Sequence, residues 1–196
     1  MTYEEIVSNE HLAEEILNEC YFSADRPVEK WEAARKFISE VITNSGTFLD
    51  VGCANGFLIK SLQSWSGHNL VPYGIDILEK NINNAKELFP EYEKNFVALP
   101  FESFLTNYPQ SLPKEFNYLC WSFWDDNHLI TITEIDYLLS HVKNNGKIII
   151  TFYPDDSIEP TDIIGNIPNL LQMGYKAVHL RNMVPERNEQ LVYITK

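Results

Sequence analysis

The most informative part of the sequence reads Thr47-Phe48-Leu49-Asp50-Val51-Gly52-Cys53-Ala54-Asn55-Gly56-Phe57. An apolar strand runs into a loop of small residues, and an amphipathic segment of helical length follows at once. Gly52 and Gly56 allow backbone torsions that other residues disfavour, and they leave room for a ligand close to the main chain. The free N–H groups at the start of the following helix can bind polar ligand atoms. This pattern predicts a ligand site at the carboxyl end of a strand.

A second signal lies at the end of the next predicted strand, Val71-Pro72-Tyr73-Gly74-Ile75-Asp76. In nucleotide-binding α/β folds, a carboxylate at the position of Asp76 accepts hydrogen bonds from the hydroxyls of a ribose. Each signal alone also fits a plain structural interpretation, a tight strand-to-helix turn for the loop and a polar strand end for Asp76. Their combination, in this order along the chain, favours a nucleotide site.

Outward from this segment, short apolar runs alternate with amphipathic segments of helical length. The predicted strands are 47–51, 70–75, 95–99, 116–121 and 147–153, with helices at 57–65, 79–89 and 133–142. This alternation predicts an α/β fold of the Rossmann-like, doubly wound type, with a mostly parallel sheet of seven strands. Its last two strands, 175–180 and 190–195, flank the turn-like segment 185–188, which is too short for a helix. They are therefore expected to form an antiparallel hairpin at the C-terminal end of the sheet.

The residues before the first strand predict helices. Pro27 opens one of these helices, and the Asn-Ser-Gly run at 44–46 ends it. No repeat or linker divides the chain, so we expect a single domain with an N-terminal helical extension at 1–45 and an α/β core at 46–196. Two arrangements of the extension are open, a cover over the ligand site or packing on the outer face of the sheet.

Composition and charge narrow the classes of partner. The chain has 196 residues, of which 44% are hydrophobic, and it carries 15 basic and 28 acidic residues for a formal charge of −13. Because an acidic surface repels phosphate backbones and anionic membranes, we expect neither a nucleic-acid nor a membrane partner. No apolar run approaches the ~20 residues that span a bilayer, and the acidic N-terminus is unlike a signal peptide, so the expected location is cytoplasmic. Cys20, Cys53 and Cys120 form no ligand-spaced cluster, so no metal site is expected.

The segment Leu49–Gly56 resembles the glycine motif of class I S-adenosylmethionine-dependent methyltransferases, in which an acid is followed by glycines at every second position. Ala54 stands in place of the central glycine. A dinucleotide-binding fingerprint would need a further glycine where this chain has Phe57. The layout from Thr47 to the C-terminus is similar to the same family. The stretch 25–56 also resembles a group of small bacterial methyltransferases of unassigned substrate.

The resemblance implies S-adenosylmethionine as the cofactor and assigns roles to individual residues. Asp50 and the backbone of the glycine loop would hold the methionine portion of the cofactor. Asp76 would bind the ribose hydroxyls, and Ile77 would pack on the adenine face. Trp121, at the end of the fourth strand, would contact the sulfonium through a cation–π interaction, or else lie in the core. The residues implied to bind the cofactor are Asp50, Gly52, Cys53, Ala54, Gly56, Asp76, Ile77, Ala98, Leu99 and Trp121.

Transfer of a methyl group to a small-molecule acceptor is the function this resemblance implies. The acceptor pocket is predicted from the aromatic residues Tyr21, Trp31, Trp121 and Tyr153. A general base is needed only if the acceptor is protonated, and His128 is the best-placed candidate, although a loop histidine is also ordinary surface. Two alternatives stay open. One is a regulatory module that binds the cofactor without catalysis, and the other is a protein or RNA methyltransferase, although an RNA substrate normally requires a basic surface.

Overall fold

The computed structural model describes residues 1–22, 24–123, 130–152, 175–184 and 189–196. The strands are β1 (Gly46–Val51), β2 (Leu70–Asp76), β3 (Phe96–Ala98), β4 (Phe116–Phe123), β5 (Val142–Phe152), β6 (Lys176–Arg181) and β7 (Gln190–Thr195). The α-helices are α1 (Tyr3–Val7), α2 (Glu10–Glu19), α3 (Pro27–Arg35), α4 (Phe57–Ser66), α5 (Glu79–Leu88), α6 (Phe101–Thr106) and α7 (Ile132–Ser140). Two 3-10 segments, Lys36–Val41 and Pro90–Asn95, complete the regular structure of these residues.

The strands form one sheet in the order β3-β2-β1-β4-β5-β7-β6. Neighbouring strands from β3 to β5 pair in parallel, and β7 pairs antiparallel with both β5 and β6. The predicted α/β class, the seven strands and the C-terminal hairpin are confirmed. The order of the strands reverses at β1, which lies between β2 and β4, and open α/β sheets bind ligands beyond the carboxyl ends of the strands at such a point.

Apolar side chains cover both faces of the sheet because successive residues of a strand point to opposite sides. In β1, Phe48 belongs to a buried cluster that includes residues of α1, α2 and α3, whereas Leu49 belongs to a second cluster with Ile135 of α7. By the same alternation Asp50 shares the face of Phe48. The N-terminal helices therefore pack on the side of the sheet to which Asp50 points.

Helices α1, α2 and α7 begin where a side chain supplies an acceptor for a free N–H group. Thr2 forms a capping box with Glu5 at the start of α1, and the Asn9 side chain accepts a hydrogen bond from the Leu12 N–H at the start of α2. Such caps satisfy donors that the first turn of a helix leaves unpaired. Among the described residues, no helix is long and apolar enough to cross a membrane.

Strand β5 begins five residues earlier than the predicted start, Lys147. Val142 pairs with Phe116, and the register then shifts before Tyr118 pairs with Lys147. Asn145, with φ of 64°, lies in this irregular part of the strand. A polar, bulged strand start lacks the apolar alternation from which strands are predicted, and this explains the missed residues.

Candidate functional site

A cavity of about 320 Å³ opens at the carboxyl ends of β1 and β2, within the size range of small-molecule sites. It is lined by Cys20, Tyr21, Trp31, Arg35, Asp50, Gly52, Cys53, Ala54, Leu58, Asp76, Ile77, Leu78, Asn81 and Ser122. Six of the residues predicted to bind a cofactor and two of those predicted for the acceptor pocket therefore lie around one cavity. The lining combines the ends of three strands with residues of the N-terminal helical extension.

The loop after β1 has a backbone shape that exposes its main chain to this cavity. The N–H groups of Gly52 and Cys53 both donate to the Ile75 carbonyl, over 2.8 and 3.0 Å, and this ties the loop to β2. Gly52 has φ of 82°, and a Cβ atom added there would meet no other atom within 4 Å. Ala54, at the position of the usual central glycine, also has a left-handed φ of 46°. The loop thus offers backbone that a ligand can approach closely at Gly52.

Asp50 is the least satisfied polar group of the site. The residue is only 1% exposed, and its Oδ1 atom has no hydrogen-bond partner among the described residues. Burial, together with the negative charge of Asp76, raises the pKa of Asp50 to about 7. Buried polar atoms are normally hydrogen-bonded, and leaving one unpaired costs about 1–3 kcal/mol. A cationic donor placed in the cavity would satisfy this carboxylate.

Asp76 has a different environment, because protein donors already hold its carboxylate. Oδ2 accepts from the Ala54 N–H over 3.0 Å, and Oδ1 accepts from the Leu78 N–H over 2.9 Å and from Asn81 Nδ2 over 3.0 Å. A carboxylate has about four lone-pair positions. These three bonds fix the orientation of Asp76 and leave a position on Oδ2 for a ligand hydroxyl.

The rim of the cavity is apolar and exposed. Ile77 and Leu78, directly after Asp76, are 68% and 46% exposed, and Tyr21 is 67% exposed. Large apolar side chains with this much exposure at the mouth of a cavity are typical of a surface that contacts a flat apolar ligand group. Ile77, which the resemblance implies for the adenine face, lies on this rim.

The N-terminal wall of the cavity contributes an aromatic ring and a buried cation. Trp31 is 5% exposed, and its Nε1 donates to Ser61 Oγ over 3.0 Å. Arg35, one helical turn later, is 4% exposed, and its Cζ lies 5.2 Å from the centre of the Trp31 ring. Its Nη1 lies 4.0 Å from Oε1 of the buried Glu189. The cavity therefore has acidic groups from the strand ends and a guanidinium on its N-terminal wall.

Four predicted site residues do not line this cavity. Trp121 stacks on Phe101 with ring centres 4.4 Å apart. Successive side chains of a strand point to opposite faces of the sheet. Ser122, the next residue of β4, faces the cavity, so Trp121 points to the other face. Ala98 is the last residue of β3, and Leu99 follows it. The Leu99 N–H donates to the Asp76 carbonyl over 2.8 Å. Gly56 precedes α4 in a left-handed conformation, with φ of 77°.

Two further predictions, His128 and Tyr153, lie outside the described residues. Among those that are described, no group of three or more His, Cys, Asp or Glu side chains is placed to hold a metal ion. Burial raises the pKa of the Cys20 thiol to about 12 and that of Cys53 well above its usual value. Both thiols are therefore protonated at neutral pH and poorly suited to act as nucleophiles.

Residues that sequence reasoning missed come mainly from the N-terminal helices and from helix starts. They are Cys20, Arg35, Leu58, Leu78, Asn81 and Ser122. One signal for Arg35 was present, because it follows Trp31 by four residues and precedes Ile38 by three. This spacing puts a charged residue on the apolar face of a helix.

Comparisons of the chain with known proteins give matches in structure but not in sequence. No protein-family profile matches the sequence, and no curated protein matches it. A SAM-dependent methyltransferase from Aquifex aeolicus superposes with a TM-score of 0.57 at 20% identity, covering 82% of this chain and 87% of that one. The plantazolicin methyltransferase BpumL, in complex with a monoazolic desmethylPZN analog and SAH, superposes with a TM-score of 0.60 at 14% identity, over 86% and 84% of the two chains.

An rRNA methylase from Streptococcus thermophilus also superposes, with a TM-score of 0.56 at 16% identity, over 83% of this chain and 93% of that one. The expectation that nucleic acid is excluded as a substrate therefore finds no support in the fold, because an rRNA methylase shares it. Identities this low establish the architecture alone. The chain shares the Rossmann-like fold of these solved methyltransferase structures.

Proposed function

We propose that this protein binds S-adenosylmethionine in the cavity beyond β1 and β2 and transfers its methyl group to a small-molecule acceptor. The observation that carries the proposal is the buried Asp50 carboxylate, whose Oδ1 lacks a partner among the described residues. The amino-acid end of S-adenosylmethionine carries an ammonium group, which is a cationic donor. Charge-assisted hydrogen bonds of this kind are stronger than neutral ones.

The other end of the amino-acid portion is a carboxylate, and the cavity offers a group of opposite charge. Arg35 lines the same cavity as Asp50 and is 4% exposed. A guanidinium has five N–H donors in a planar fork that matches a carboxylate. Asp50 and Arg35 together thus fit a zwitterionic ligand group, and the exposed backbone at Gly52 allows it to approach the loop.

The nucleoside portion fits the opposite side of the cavity. Asp76 would accept a hydrogen bond from a ribose hydroxyl, in an orientation fixed by Ala54, Leu78 and Asn81. Ile77 and Leu78 would pack on the adenine. Ala98 and Leu99, at the neighbouring strand end, remain our proposal for the far edge of the adenine pocket, since Leu99 is bonded to the Asp76 backbone.

When bound, S-adenosylmethionine would supply an activated methyl group: the acceptor bonds to the methyl carbon as the carbon–sulfur bond breaks in line, and the thioether S-adenosylhomocysteine is the leaving group. The protein then has to orient the acceptor and exclude water. Tyr21 and Trp31 of the N-terminal extension line the cavity and are suited to both tasks. We therefore propose that residues 1–45 cover the site, although much of their apolar surface also packs in the core.

A small molecule is the acceptor class that the charge of the chain favours. With 28 acidic and 15 basic residues, the surface repels RNA, whose recognition depends on neutralising phosphates. Two rivals remain, a protein or RNA methyltransferase and a cofactor-binding module without catalysis. The residues that would bind the cofactor are the same in all three cases.

Methyl-labelled S-adenosylmethionine distinguishes these functions. The protein and the labelled cofactor are incubated together in three separate reactions. One contains a small-metabolite extract, one total RNA and one a protein extract. We expect label only in the metabolite fraction, and none when Asp50→Asn replaces the wild type. Label in RNA or protein would identify a rival acceptor. Cofactor binding without transfer to any fraction would favour the regulatory module.

A further inference from the structure

The side chain of Asn55 joins the glycine loop to helix α2. Asn55 is 2% exposed, and its Nδ2 donates to the Ile16 carbonyl over 2.9 Å and to Glu19 Oε2 over 3.3 Å. Its Oδ1 accepts from Cys20 Sγ over 2.6 Å and from the Phe57 N–H over 3.2 Å. An asparagine amide has two donors and one acceptor oxygen, so all of its hydrogen-bonding groups are used.

Three of these four bonds lead to the end of α2, 35–39 residues away in the sequence, and only one leads to α4. The side chain therefore does more than begin the following helix. Helix α2 ends at Glu19, and the next two residues, Cys20 and Tyr21, line the cavity. Asn55 thus fixes the part of the N-terminal extension that forms a wall of the site.

The backbone on either side of Asn55 belongs to the cofactor loop. The Ala54 N–H donates to the Asp76 carboxylate over 3.0 Å, and the Gly56 N–H donates to the Cys53 carbonyl over 2.8 Å. A ligand that orders the backbone of residues 52–56 also holds the Asn55 side chain in place. It thereby favours the hydrogen bonds from that side chain to the end of α2. Ligand binding and the docking of α2 are then coupled. If the ligand raises the equilibrium constant for docking by some factor, docking raises the affinity for the ligand by the same factor.

We infer that Asn55 is a positioning residue that couples cofactor binding at the glycine loop to the docking of helix α2, whose end leads into the cavity wall at Cys20 and Tyr21. The inference rests on the proposed function, since it takes S-adenosylmethionine or its demethylated product as the ligand. It assigns Asn55 no contact with the cofactor. Its role is to hold Cys20 and Tyr21 at the cavity while the loop is ordered.

The variant Asn55→Asp separates this role from a structural one. The carboxylate keeps an acceptor for the Phe57 N–H and for the Cys20 thiol, whose pKa burial raises to about 12 and which stays protonated. It loses the donor to the Ile16 carbonyl and places a negative charge opposite Glu19. Adding Glu19→Gln removes the repulsion and supplies an N–H donor to residue 55. Asn18→Asp, at an exposed position of α2, introduces the same charge away from Asn55 and is the matched control.

Two measurements follow each variant: titration calorimetry with S-adenosylhomocysteine, and hydrogen exchange of residues 10–17 with and without this ligand. Residues 10–17 do not line the cavity, so their protection reports docking rather than direct contact. In the wild type we expect the ligand to slow exchange in α2. In Asn55→Asp we expect at least tenfold weaker binding and no ligand-dependent protection. The Glu19→Gln addition should restore only part of the affinity, because the Ile16 carbonyl still lacks its donor, and Asn18→Asp should change nothing.

The failures of the two proposals are distinguishable. A wild-type protein that does not bind S-adenosylhomocysteine refutes the proposed function and the coupling with it. A wild type that binds the ligand without slower exchange in residues 10–17 refutes the coupling alone, and this test needs no variant. Asn55→Asp with a lower melting temperature but wild-type affinity and wild-type ligand-dependent protection reduces Asn55 to a structural role and also overturns the inference.

Discussion

Asp50 and Asp76 lie at the carboxyl ends of the neighbouring parallel strands β1 and β2. Both line one cavity, but the surroundings of their carboxylates differ. Asp76 accepts three hydrogen bonds from protein donors, whereas the Oδ1 of Asp50 accepts none from the described residues. Burial and the charge of Asp76 raise the pKa of Asp50 to about 7. The fold therefore orients one acid and leaves the other in need of a cation, and a group with this combination is a strong candidate for ligand binding.

Binding of S-adenosylhomocysteine should depend on the protonation of Asp50. Because the anionic carboxylate pairs with the ligand ammonium, affinity should rise with pH and level off above about pH 7, where Asp50 is ionised. Below that pH the dissociation constant should increase about tenfold per pH unit. Titration calorimetry between pH 5.5 and 8 measures this slope. Asp50→Asn should bind weakly at every pH, and a wild-type affinity that is flat across the range would contradict the assignment.

Asp50 should also lower the stability of the ligand-free protein at neutral pH. Its pKa is near 3.9 when unfolded and about 7 when folded, so between these values only the folded state keeps the proton. Stability then falls as the pH rises from about 4 to about 7. Relative to Asp50→Asn, the wild type should lose about 2–4 kcal/mol of unfolding free energy between pH 4 and pH 8. Urea unfolding of both proteins at the two pH values tests this, and parallel pH profiles would refute it.

Replacing Asp76 by alanine should weaken cofactor binding and loosen the loop together. The Ala54 and Leu78 N–H groups lose their acceptor. The ribose hydroxyl that we propose to bind there loses a charged acceptor. We expect affinity for S-adenosylhomocysteine to fall by about 1.5–3 kcal/mol. Asn81→Ala removes one donor to the same carboxylate and should have a smaller effect. If Asp76→Ala binds the ligand as tightly as the wild type does, Asp76 is not the ribose ligand.

Arg35 should contribute to binding of the amino-acid portion only. Arg35→Lys keeps the positive charge beside Glu189 but loses the planar fork that matches a carboxylate. We expect affinity for S-adenosylhomocysteine to fall about tenfold, while affinity for 5′-methylthioadenosine, which lacks the amino-acid portion, changes less than twofold. Lys36→Gln, at the exposed neighbouring cation, is the control. Equal losses for both ligands would show that Arg35 supports the fold rather than the carboxylate.

The parts of the site that follow directly from a strand end could be predicted from the sequence. An apolar run that leads into small residues locates Asp50 and Gly52, and a second run locates Asp76, because parallel strands bring their carboxyl ends to one edge. Cys20 and Arg35 could not be placed in this way, since their positions depend on how α2 and α3 dock against the sheet. Local sequence patterns carry little information about such docking.

Trp121 shows a second limit of sequence reasoning. β4 is buried on both faces, with Cys120 in one apolar cluster and Trp121 in the other. A strand that is apolar on both faces has no polar alternation, so the sequence does not tell which of two neighbouring residues faces the site. Ser122 lines the cavity, and Trp121 packs on Phe101.

The most direct test of the central claim is titration of the wild-type protein with S-adenosylmethionine, S-adenosylhomocysteine and NAD at pH 7.5, measured by calorimetry. The cavity with Asp50, Arg35 and Asp76 predicts saturable binding of both sulfur nucleosides at one site. Phe57, in place of the third glycine of a dinucleotide fingerprint, predicts no binding of NAD. Binding of NAD without any response to either sulfur nucleoside would contradict the account.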